Sequence, residues 1–281
     1  MMTIEDLRQR VREIPPLPDI AVRLLQMSRD PEVAPRDLVD VIRYDAAITA
    51  KVLRLCNSAF YGLSRRITSL HEAMVYLGVD ALVNFVLAGC LAAYCQDANH
   101  GYGLDPGQLW THSVGCAICS QKTAERYRPA LAATAFTCGL LHDLGKIILN
   151  TFVAEDFRAI LDLVEKEGAA FSEAEQRILG YTHAESGAQV AETWRLPPEI
   201  VSAIRHHHAP MEAEDDRELV ALVHVGDVLC MSFGVGVGVD GLAYQFDRGV
   251  VEMLGIKTQE LEYVSIEFHD AFKRAREALL L

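Results

Sequence analysis

Apolar residues recur at intervals of three and four along almost the whole chain, which predicts amphipathic α-helices. Prolines, glycines and short polar runs separate these stretches. The one segment that alternates residue by residue, 234–239, pairs glycine with valine and is predicted to be a loop. The predicted fold class is therefore all-α. The clearest helices are predicted at 45–56, 70–77, 80–94, 105–127, 130–152, 156–167, 172–179, 183–194, 198–208, 217–233 and 258–278.

The stretch 96–107 is polar and rich in glycine, and it is the best candidate for a boundary within the chain. We expect an N-terminal helical subdomain over residues 1–100 and a larger helical subdomain over residues 101–281. Within the second part, Ser172 and Glu175 have the spacing of a capping box at the start of a helix.

Acidic residues outnumber basic ones, 39 against 26, which gives a formal net charge of −13. The excess lies in the C-terminal part, because residues 1–100 carry 11 basic and 12 acidic side chains while the remainder carry 15 and 27. Nucleic-acid backbones are bound by basic surfaces, so the charge argues against a DNA- or RNA-binding protein. Apolar residues make up 51% of the chain, as expected of a folded globular protein.

A cytoplasmic protein is expected, with neither an export signal nor a membrane span. The N-terminus lacks a basic region followed by an apolar one. The longest uncharged apolar stretch, 81–95, is 15 residues long, shorter than the ~18 to 20 that a span requires. The seven cysteines are odd in number and lie mostly in apolar sequence, as reduced buried thiols do. Cys116 and Cys119 have redox or zinc spacing, but they lie within one helix without a second such pair and are interpreted as structural.

Histidines are concentrated in the C-terminal part. Six of the ten lie within one hundred residues: His112, His142, His183, His206, His207 and His208. Asp143 follows His142 directly, and its carboxylate can bridge two cations. Asp227 lies in an apolar helix, where an unpaired carboxylate is unfavourable. Imidazoles and carboxylates without thiolates suit Fe, Mn, Zn or Ni, so a transition-metal site is predicted.

The order of these residues resembles the HD superfamily of metal-dependent phosphohydrolases, and within it the two-metal HD-GYP phosphodiesterases. The resemblance implies that one metal ion is held by His112, His142, Asp143 and Asp227, and a second by His183, His207 and His208, with Asp143 as the bridge. It also implies that Asp143 and Lys146 are the catalytic residues. Lys146, in the signature His-Asp-x-Gly-Lys, would face a bound phosphate, four residues after His142 on the same helix face.

Two features depart from the HD-GYP pattern. The Gly-Tyr-Pro loop that follows the His pair is absent, since Ala209 and Pro210 follow His208, and Gln108 stands where a third-metal glutamate is expected. The run of three histidines also leaves the register of the pair open. The pattern His-His-x-Pro selects His207 and His208, and the alternative pair includes His206. His224, one turn before Asp227, either supports the metal site or packs between helices.

The N-terminal part resembles the HDOD domain, an HD-related output domain of bacterial signalling proteins. The resemblance rests on Ile-Pro-Pro-Leu-Pro at 14–18, on the stretch from Tyr-Asp-Ala-Ala-Ile to Asn-Ser-Ala-Phe-Tyr-Gly at 44–62, and on 67–78, which ends in Tyr-Leu-Gly. Many HDOD domains have lost metal ligands and are thought to act as interaction modules, whereas this chain retains the full set.

Two functions follow from these resemblances. The first is a signal-transduction output module with a binuclear metal centre, which acts mainly through contacts with signalling proteins. The alternative is a metal-dependent phosphohydrolase or phosphodiesterase that acts on a nucleotide or another phosphate ester. Both imply two divalent or mixed-valent transition-metal ions, iron foremost, with Mn, Zn or Ni as alternatives. Neither implies a nucleic-acid polymer or a membrane as a partner. A relic site, complete in sequence but unable to bind metal, is the third alternative.

Overall fold

The computed structural model describes residues 4–58, 65–95, 100–238 and 246–279. Within these ranges the chain forms fifteen α-helices and no strand, which confirms the all-α prediction. The helices are α1 (Ile4–Glu13), α2 (Asp19–Met27), α3 (Pro35–Ile42), α4 (Ala46–Cys56), α5 (Leu70–Leu77), α6 (Val79–Leu91), α7 (Gln108–Tyr127), α8 (Ala132–Leu141), α9 (Leu144–Glu167), α10 (Phe171–Leu179), α11 (His183–Thr193), α12 (Pro198–His206), α13 (Arg217–Ser232), α14 (Arg248–Leu254) and α15 (Thr258–Leu279).

Capping side chains set the helix starts in the N-terminal part. Asp45 accepts a hydrogen bond from the backbone N–H of Ile48 at the start of α4, and Ser69 accepts one from Glu72 at the start of α5. Gly78 joins α5 to α6 with a φ of 83°, a left-handed conformation that favours glycine. These helix starts agree with the predicted ones to within one residue, whereas α6 ends at Leu91 and not at residue 94.

Some residues of the motifs and segments named above lie outside the described ranges. Residues 59–62 of the HDOD-like motif, residues 96–99 of the predicted boundary and residue 239 of the predicted loop are not described. The division into residues 1–100 and 101–281 stays a prediction. The described part of the loop, 234–238, is indeed irregular.

Helix α7 is central to the C-terminal part of the fold. It packs against α8, α13 and α15, while α9 packs against α11. Buried apolar residues between Val11 and Ala275 form one contiguous core that helices of both parts share. Polar side chains on the inner faces of α7 and α13 are therefore shielded from solvent.

The prediction of a single helix over 130–152 is wrong, because the helix is broken at the His-Asp pair of the candidate site. Helix α8 ends at Leu141 and α9 begins at Leu144, so His142 and Asp143 lie in the break between them. The apolar pattern continues through this point, and periodicity therefore gives no sign of the break. Consequently Lys146 does not lie on the same helix as His142. Helix α9 then continues to Glu167, without the interruption predicted before residue 156.

Other boundaries differ from the predicted ones by smaller amounts. Helix α12 ends at His206, and not at residue 208, so His207 and His208 follow the helix. Helix α7 begins at Gln108, and not at residue 105, and α14 was not predicted at all. Like the break at Asp143, the early end of α12 places candidate ligands at a helix terminus.

A long apolar stretch of the chain lies in the interior of the fold. Pro129–Asn150 is long and apolar enough to cross a membrane by length and composition, with a mean hydropathy of 1.2, yet 72% of that window is buried in the protein. Helices α5 and α6 pass the same test only as a pair, which is bent by 118°. Burial in the helical core accounts for the apolarity of Pro129–Asn150. The seven cysteines are free and buried, as predicted.

Two glycines allow α9 and α11 to approach backbone to backbone. A Cβ atom on Gly145 would collide with the carbonyl oxygen of His183 and lie 2.6 Å from the backbone nitrogen of Gly187. A Cβ atom on Gly187 would lie 2.8 Å from the nitrogen of Gly145. Because close-packed backbone cannot yield as a flexible side chain does, glycine is required at both positions. The contact fixes His183 relative to Asp143.

Gly145→Ala is expected to lower the free energy of unfolding by about 1–3 kcal/mol, the usual cost of overpacking. Gly89→Ala is the matched control, because its Cβ atom in α6 would meet only the Cδ atom of Lys51, at 3.6 Å. That control is expected to stabilise the protein by roughly 0.5–1 kcal/mol through helix propensity. Urea unfolding followed by circular dichroism measures both. Equal stability of Gly145→Ala and wild type would contradict the described contact.

Candidate metal centre

Five separate regions of the chain bring the seven candidate ligands together. His112 lies on α7 and Asp227 on α13, while the other five lie at helix boundaries: His142 and Asp143 between α8 and α9, His183 at the start of α11, and His207 and His208 directly after α12. The exposed fraction of the side chain is at most 3% for six of them and 13% for His208. The set therefore forms a closed polar centre within the helical core.

The first cluster consists of His112, His142 and Asp227. The Nε2 atom of His112 lies 3.1 Å from Oδ1 of Asp227 and 3.3 Å from Nε2 of His142, and the latter lies 3.5 Å from the same carboxylate oxygen. One potential ligand atom from each residue thus lies within 4.8 Å of the others. Three such atoms around one point are suited to holding a cation.

The second cluster consists of His183, His207 and His208, and it meets the same distance criterion. The Nε2 atoms of His183 and His208 lie 2.8 Å apart. The rings of His207 and His208 have centroids 3.9 Å apart, and those of His183 and His207 lie 5.5 Å apart. His206 belongs to neither cluster. The geometry thus brings together the pair His207 and His208 that the pattern His-His-x-Pro selects.

Asp143 lies between the two clusters and directs one carboxylate oxygen toward each. Its Oδ2 atom lies 3.4 Å from Nε2 of His112 and 3.3 Å from Nε2 of His142. Its Oδ1 atom lies 3.6 Å from Nε2 of His183 and 3.9 Å from Nε2 of His207. This placement suits a carboxylate that bridges two cations.

Outer hydrogen bonds orient four of the histidine rings. In each case the Nδ1 atom lies within hydrogen-bonding distance of an oxygen: Val235 O for His112 (3.1 Å), Gly139 O for His142 (2.7 Å), Ile204 O for His207 (2.7 Å) and Glu175 Oε2 for His183 (2.7 Å). A carbonyl or carboxylate oxygen accepts, so each Nδ1 carries a proton and Nε2 is the nitrogen left to face a cation. All four Nε2 atoms therefore point inward as potential ligands, the arrangement found around protein-bound metals.

Two polar atoms at the centre have no hydrogen-bond partner within the described part of the chain, namely Asp143 Oδ1 and His207 Nε2. A buried carboxylate oxygen or imidazole nitrogen without a partner is unfavourable by about 1–3 kcal/mol or more. A bound cation would satisfy both atoms. The residues present therefore fit the metal ions that the sequence predicts.

The protonation of Asp143, His207 and His208 suits metal binding. Burial opposes ionisation of Asp143, but neighbouring His142 and Lys146 hold its pKa well below the usual value. Burial, followed by the proximity of other histidines, lowers the pKa of His207 and of His208 well below the usual value. The carboxylate is thus charged and both imidazoles are neutral, as ligation requires.

The thiols beside the centre remain protonated. Cys230 Sγ lies 3.8 Å from Nδ1 of His112, and burial raises the pKa of this thiol to about 12. Burial also raises the pKa of Cys116. Since the thiolate is the ligand form of cysteine, the donor set consists of nitrogen and oxygen, as the sequence indicated.

Lys146 lies beside the bridging carboxylate. Its Nζ atom donates a hydrogen bond to Asp143 Oδ2 at 2.7 Å, and its side chain is 5% exposed. The role predicted for Lys146, facing a bound phosphate, stays a prediction. In this structure its charge offsets that of Asp143.

His224 supports the backbone next to the second cluster. Its Nδ1 atom lies 2.8 Å from the carbonyl oxygen of His207, and its Nε2 atom accepts a hydrogen bond from the backbone N–H of Asp247 at 3.1 Å. The sequence left its role open between site support and helix packing. These contacts favour support of the site.

The capping box predicted for Ser172 and Glu175 is wrong. Helix α10 begins at Phe171 after Ala170 and has no side-chain cap, and Glu175 is completely buried. Its carboxylate instead contacts His183, a role that the sequence reasoning missed. The signal was available, because Glu175 lies four residues after Phe171 and four before Leu179, on the apolar face of the helix.

An all-helical domain with buried His and Asp clusters on either side of the aspartate of a His-Asp pair is the arrangement that the resemblance to the HD superfamily implied. The model of the HDOD domain family matches residues 14–210. This chain belongs to the HDOD domain family.

Solved structures share the fold over nearly the whole chain. An HDOD domain protein from Geobacter sulfurreducens has a TM-score of 0.77 and 26% identity, and the match covers 99% of this chain and 100% of that one. A protein from Marinobacter aquaeolei VT8, described as a signal transduction protein, has a TM-score of 0.71 and 27% identity, with 100% of this chain and 60% of that one covered.

A curated protein of Treponema pallidum (strain Nichols) is 26% identical over 216 residues, which cover 76% of this chain and 41% of that protein. This chain therefore spans about two fifths of the length of the curated relative that it matches.

Asp143→Asn is expected to lower the metal content per chain by about half or more, because an amide cannot bridge two cations as a carboxylate does. Asp162→Asn is the matched control, since Asp162 lies on α9 and pairs with Lys166 at the surface, 2.8 Å away. Inductively coupled plasma mass spectrometry of the purified proteins measures the metal. Equal metal content in the two variants would contradict the bridging position of Asp143.

Proposed function

We propose that this chain is an output module of bacterial signal transduction whose C-terminal part carries a binuclear metal centre, and that it acts mainly through contacts with signalling proteins. Membership of the HDOD domain family supports the signalling role. The two ligand clusters on either side of Asp143 support the metal centre. When bound, such ions supply positive charge that compensates Asp143 and Asp227 and cross-links the helices that carry the ligands.

The burial of the candidate ligands is the observation that carries the proposal. Metal-assisted hydrolysis requires that a phosphate ester reach the ions and an activated water. Six of the seven ligand side chains are at most 3% exposed, and Lys146 is hydrogen-bonded to the bridging carboxylate. Such a centre is better suited to holding helices in one arrangement than to admitting a substrate.

Two exposed tyrosines in the N-terminal part, Tyr44 in the turn between α3 and α4 and Tyr76 on α5, support a role in protein contacts. The residue fractions exposed are 79% for Tyr44 and 49% for Tyr76. The guanidinium of Arg43 lies 4.9 Å from the ring centroid of Tyr44, and that of Arg65 lies 4.7 Å from that of Tyr76. Tyrosine and arginine are enriched at protein interfaces, and burial of such pairs by a partner strengthens their interaction.

The nitrogen and oxygen donors of the centre suit several transition metals. We propose iron as the resident metal. Mn, Zn and Ni are alternatives, because histidine and carboxylate ligands without thiolates accept all four metals.

A metal-dependent phosphohydrolase is the second candidate function. His208 favours it, since its side chain is 13% exposed and is the one ligand of the seven that clearly reaches the surface of the described structure. In that case a phosphate ester would approach from the side of His208.

Hydrolysis of bis(p-nitrophenyl) phosphate separates the two functions. We expect the metal-loaded wild type to hydrolyse it no faster than Asp143→Asn or a protein-free solution of the same metal, because the ester cannot reach the ions. Asp162→Asn serves as the control variant with an intact centre. Turnover that saturates with ester and is lost in Asp143→Asn would contradict the output-module proposal. Slower turnover in Lys146→Ala at unchanged metal content would then support the enzyme.

A further inference from the structure

Tyr102 links the start of the C-terminal part to the interior of the metal centre. It belongs to a 3-10 turn, His100–Tyr102, shortly before α7, and it is completely buried. Its hydroxyl donates a hydrogen bond to Glu175 Oε1 at 2.5 Å. Its ring centroid lies 5.5 Å from that of Phe171, and the rings of Tyr102 and His183 lie nearly perpendicular at 6.1 Å.

Glu175 connects Tyr102 to the second cluster through its other carboxylate oxygen. Its Oε2 atom accepts a hydrogen bond from the backbone N–H of His183 at 3.0 Å and another from Nδ1 of the same residue at 2.7 Å. Both oxygens of a completely buried carboxylate are therefore used, one by Tyr102 and the other by His183. The two bonds to His183 fix both the backbone position and the orientation of the ring.

Tyr102 also contacts the bridge between the clusters through Lys146. The ammonium of Lys146 lies 5.6 Å from the ring centroid of Tyr102 and donates a hydrogen bond to Asp143 Oδ2. A cation near an aromatic ring is attracted by its electron-rich face. One tyrosine thus touches the residues that orient His183 and those that orient Asp143.

We propose that Tyr102 and Glu175 are positioning residues that set the metal affinity of the cluster formed by His183, His207 and His208. The proposal rests on the binuclear centre proposed above. By linkage, metal bound at this cluster stabilises the turn His100–Tyr102 to the same extent that the turn stabilises metal binding. The stability of this turn, which lies at the beginning of the C-terminal part, would therefore depend on whether the second cluster holds a metal ion.

The physical basis is the hydrogen bond that a metal-binding imidazole donates through the ring nitrogen that does not bind the metal. A carboxylate that accepts the Nδ1–H bond holds the ring in one tautomer and strengthens Nε2 as a ligand. Loss of such outer partners typically lowers metal affinity by about 10–100-fold. Among the described residues, no comparable carboxylate contacts the outer ring nitrogens of the first cluster, since His112 and His142 are oriented by the backbone oxygens of Val235 and Gly139. Removal of Glu175 should therefore affect the two binding steps unequally.

Titration of the metal-free full chain with Co²⁺ tests the proposal. Calorimetry and the visible absorption of Co²⁺ follow the binding steps in wild type, Glu175→Gln and Tyr102→Phe. Tyr94→Phe is the matched control, because the hydroxyl of Tyr94 donates its hydrogen bond to the carbonyl oxygen of Pro16 in the N-terminal part. Tyr102→Phe removes one oxygen atom and keeps the buried ring, so it provides a test even where Glu175→Gln folds poorly.

Wild type is expected to bind two Co²⁺ ions per chain. In Glu175→Gln the affinity of one step should fall by about 10–100-fold and the other should change by less than about threefold. Tyr102→Phe should weaken the same step by a smaller factor, and Tyr94→Phe should match wild type. Hydrogen exchange gives a second measure: Co²⁺ should slow exchange at residues 100–104 in wild type more than in Glu175→Gln.

Failure of the positioning role and failure of the metal centre itself would give different results in these titrations. Two unchanged binding steps in both variants, or equal weakening of both steps, would overturn the positioning role of Tyr102 and Glu175 and leave the binuclear centre intact. A wild type that binds no Co²⁺ at the buried histidines would overturn the metal centre itself, and with it this proposal.

Discussion

The carboxylate of Asp143 is the group on which the rest of the site depends. It is almost completely buried, its Oδ2 atom faces His112 and His142, and its Oδ1 atom faces the second cluster without a hydrogen-bond partner in the described structure. A charge in such a position is strongly unfavourable unless positive charge surrounds it. Lys146 supplies part of that charge, and the converging imidazoles provide ligands for cations that would supply the remainder. The break between α8 and α9 lies at Asp143 itself, the residue whose buried charge requires positive charge around it.

Sequence reasoning identified the candidate ligands more readily than the geometry that brings them together. The helical class follows from periodicity, because buried positions recur every three to four residues in helices such as α2 and α12, whereas α7 and α13 are buried on almost all sides. The order of His and Asp residues pointed to one centre through its family resemblance. The break at His142 and the early end of α12 were missed, since the apolar pattern runs through both. Glu175 was misassigned because its spacing from Ser172 satisfied a local rule, whereas its burial depends on Tyr102, 73 residues away.

The described fold places the candidate metal centre in the C-terminal part, whereas exposed aromatic residues occur in both parts of the chain. The polar centre lies among α7 to α13, within helices that pack closely enough for Gly145 and Gly187 to meet backbone to backbone. Exposed Tyr44, in the turn between α3 and α4, and exposed Tyr76, on α5, belong to the N-terminal part, and one contiguous core joins both parts. A change in the centre can therefore reach the N-terminal helices through packed side chains, which is what an output module requires. Tyr102 lies where such a change would pass from the centre to the beginning of the C-terminal part.

The presence of two metal ions on either side of Asp143 is the central claim, and anomalous X-ray diffraction tests it most directly. Crystals of the purified protein would be measured above and below the absorption edge of the metal found in it. The account predicts two anomalous peaks, ~3.5–4 Å apart, one beside His112, His142 and Asp227 and the other beside His183, His207 and His208. A protein whose crystals show no anomalous peak among these residues after reconstitution with iron, manganese, zinc or nickel would contradict it.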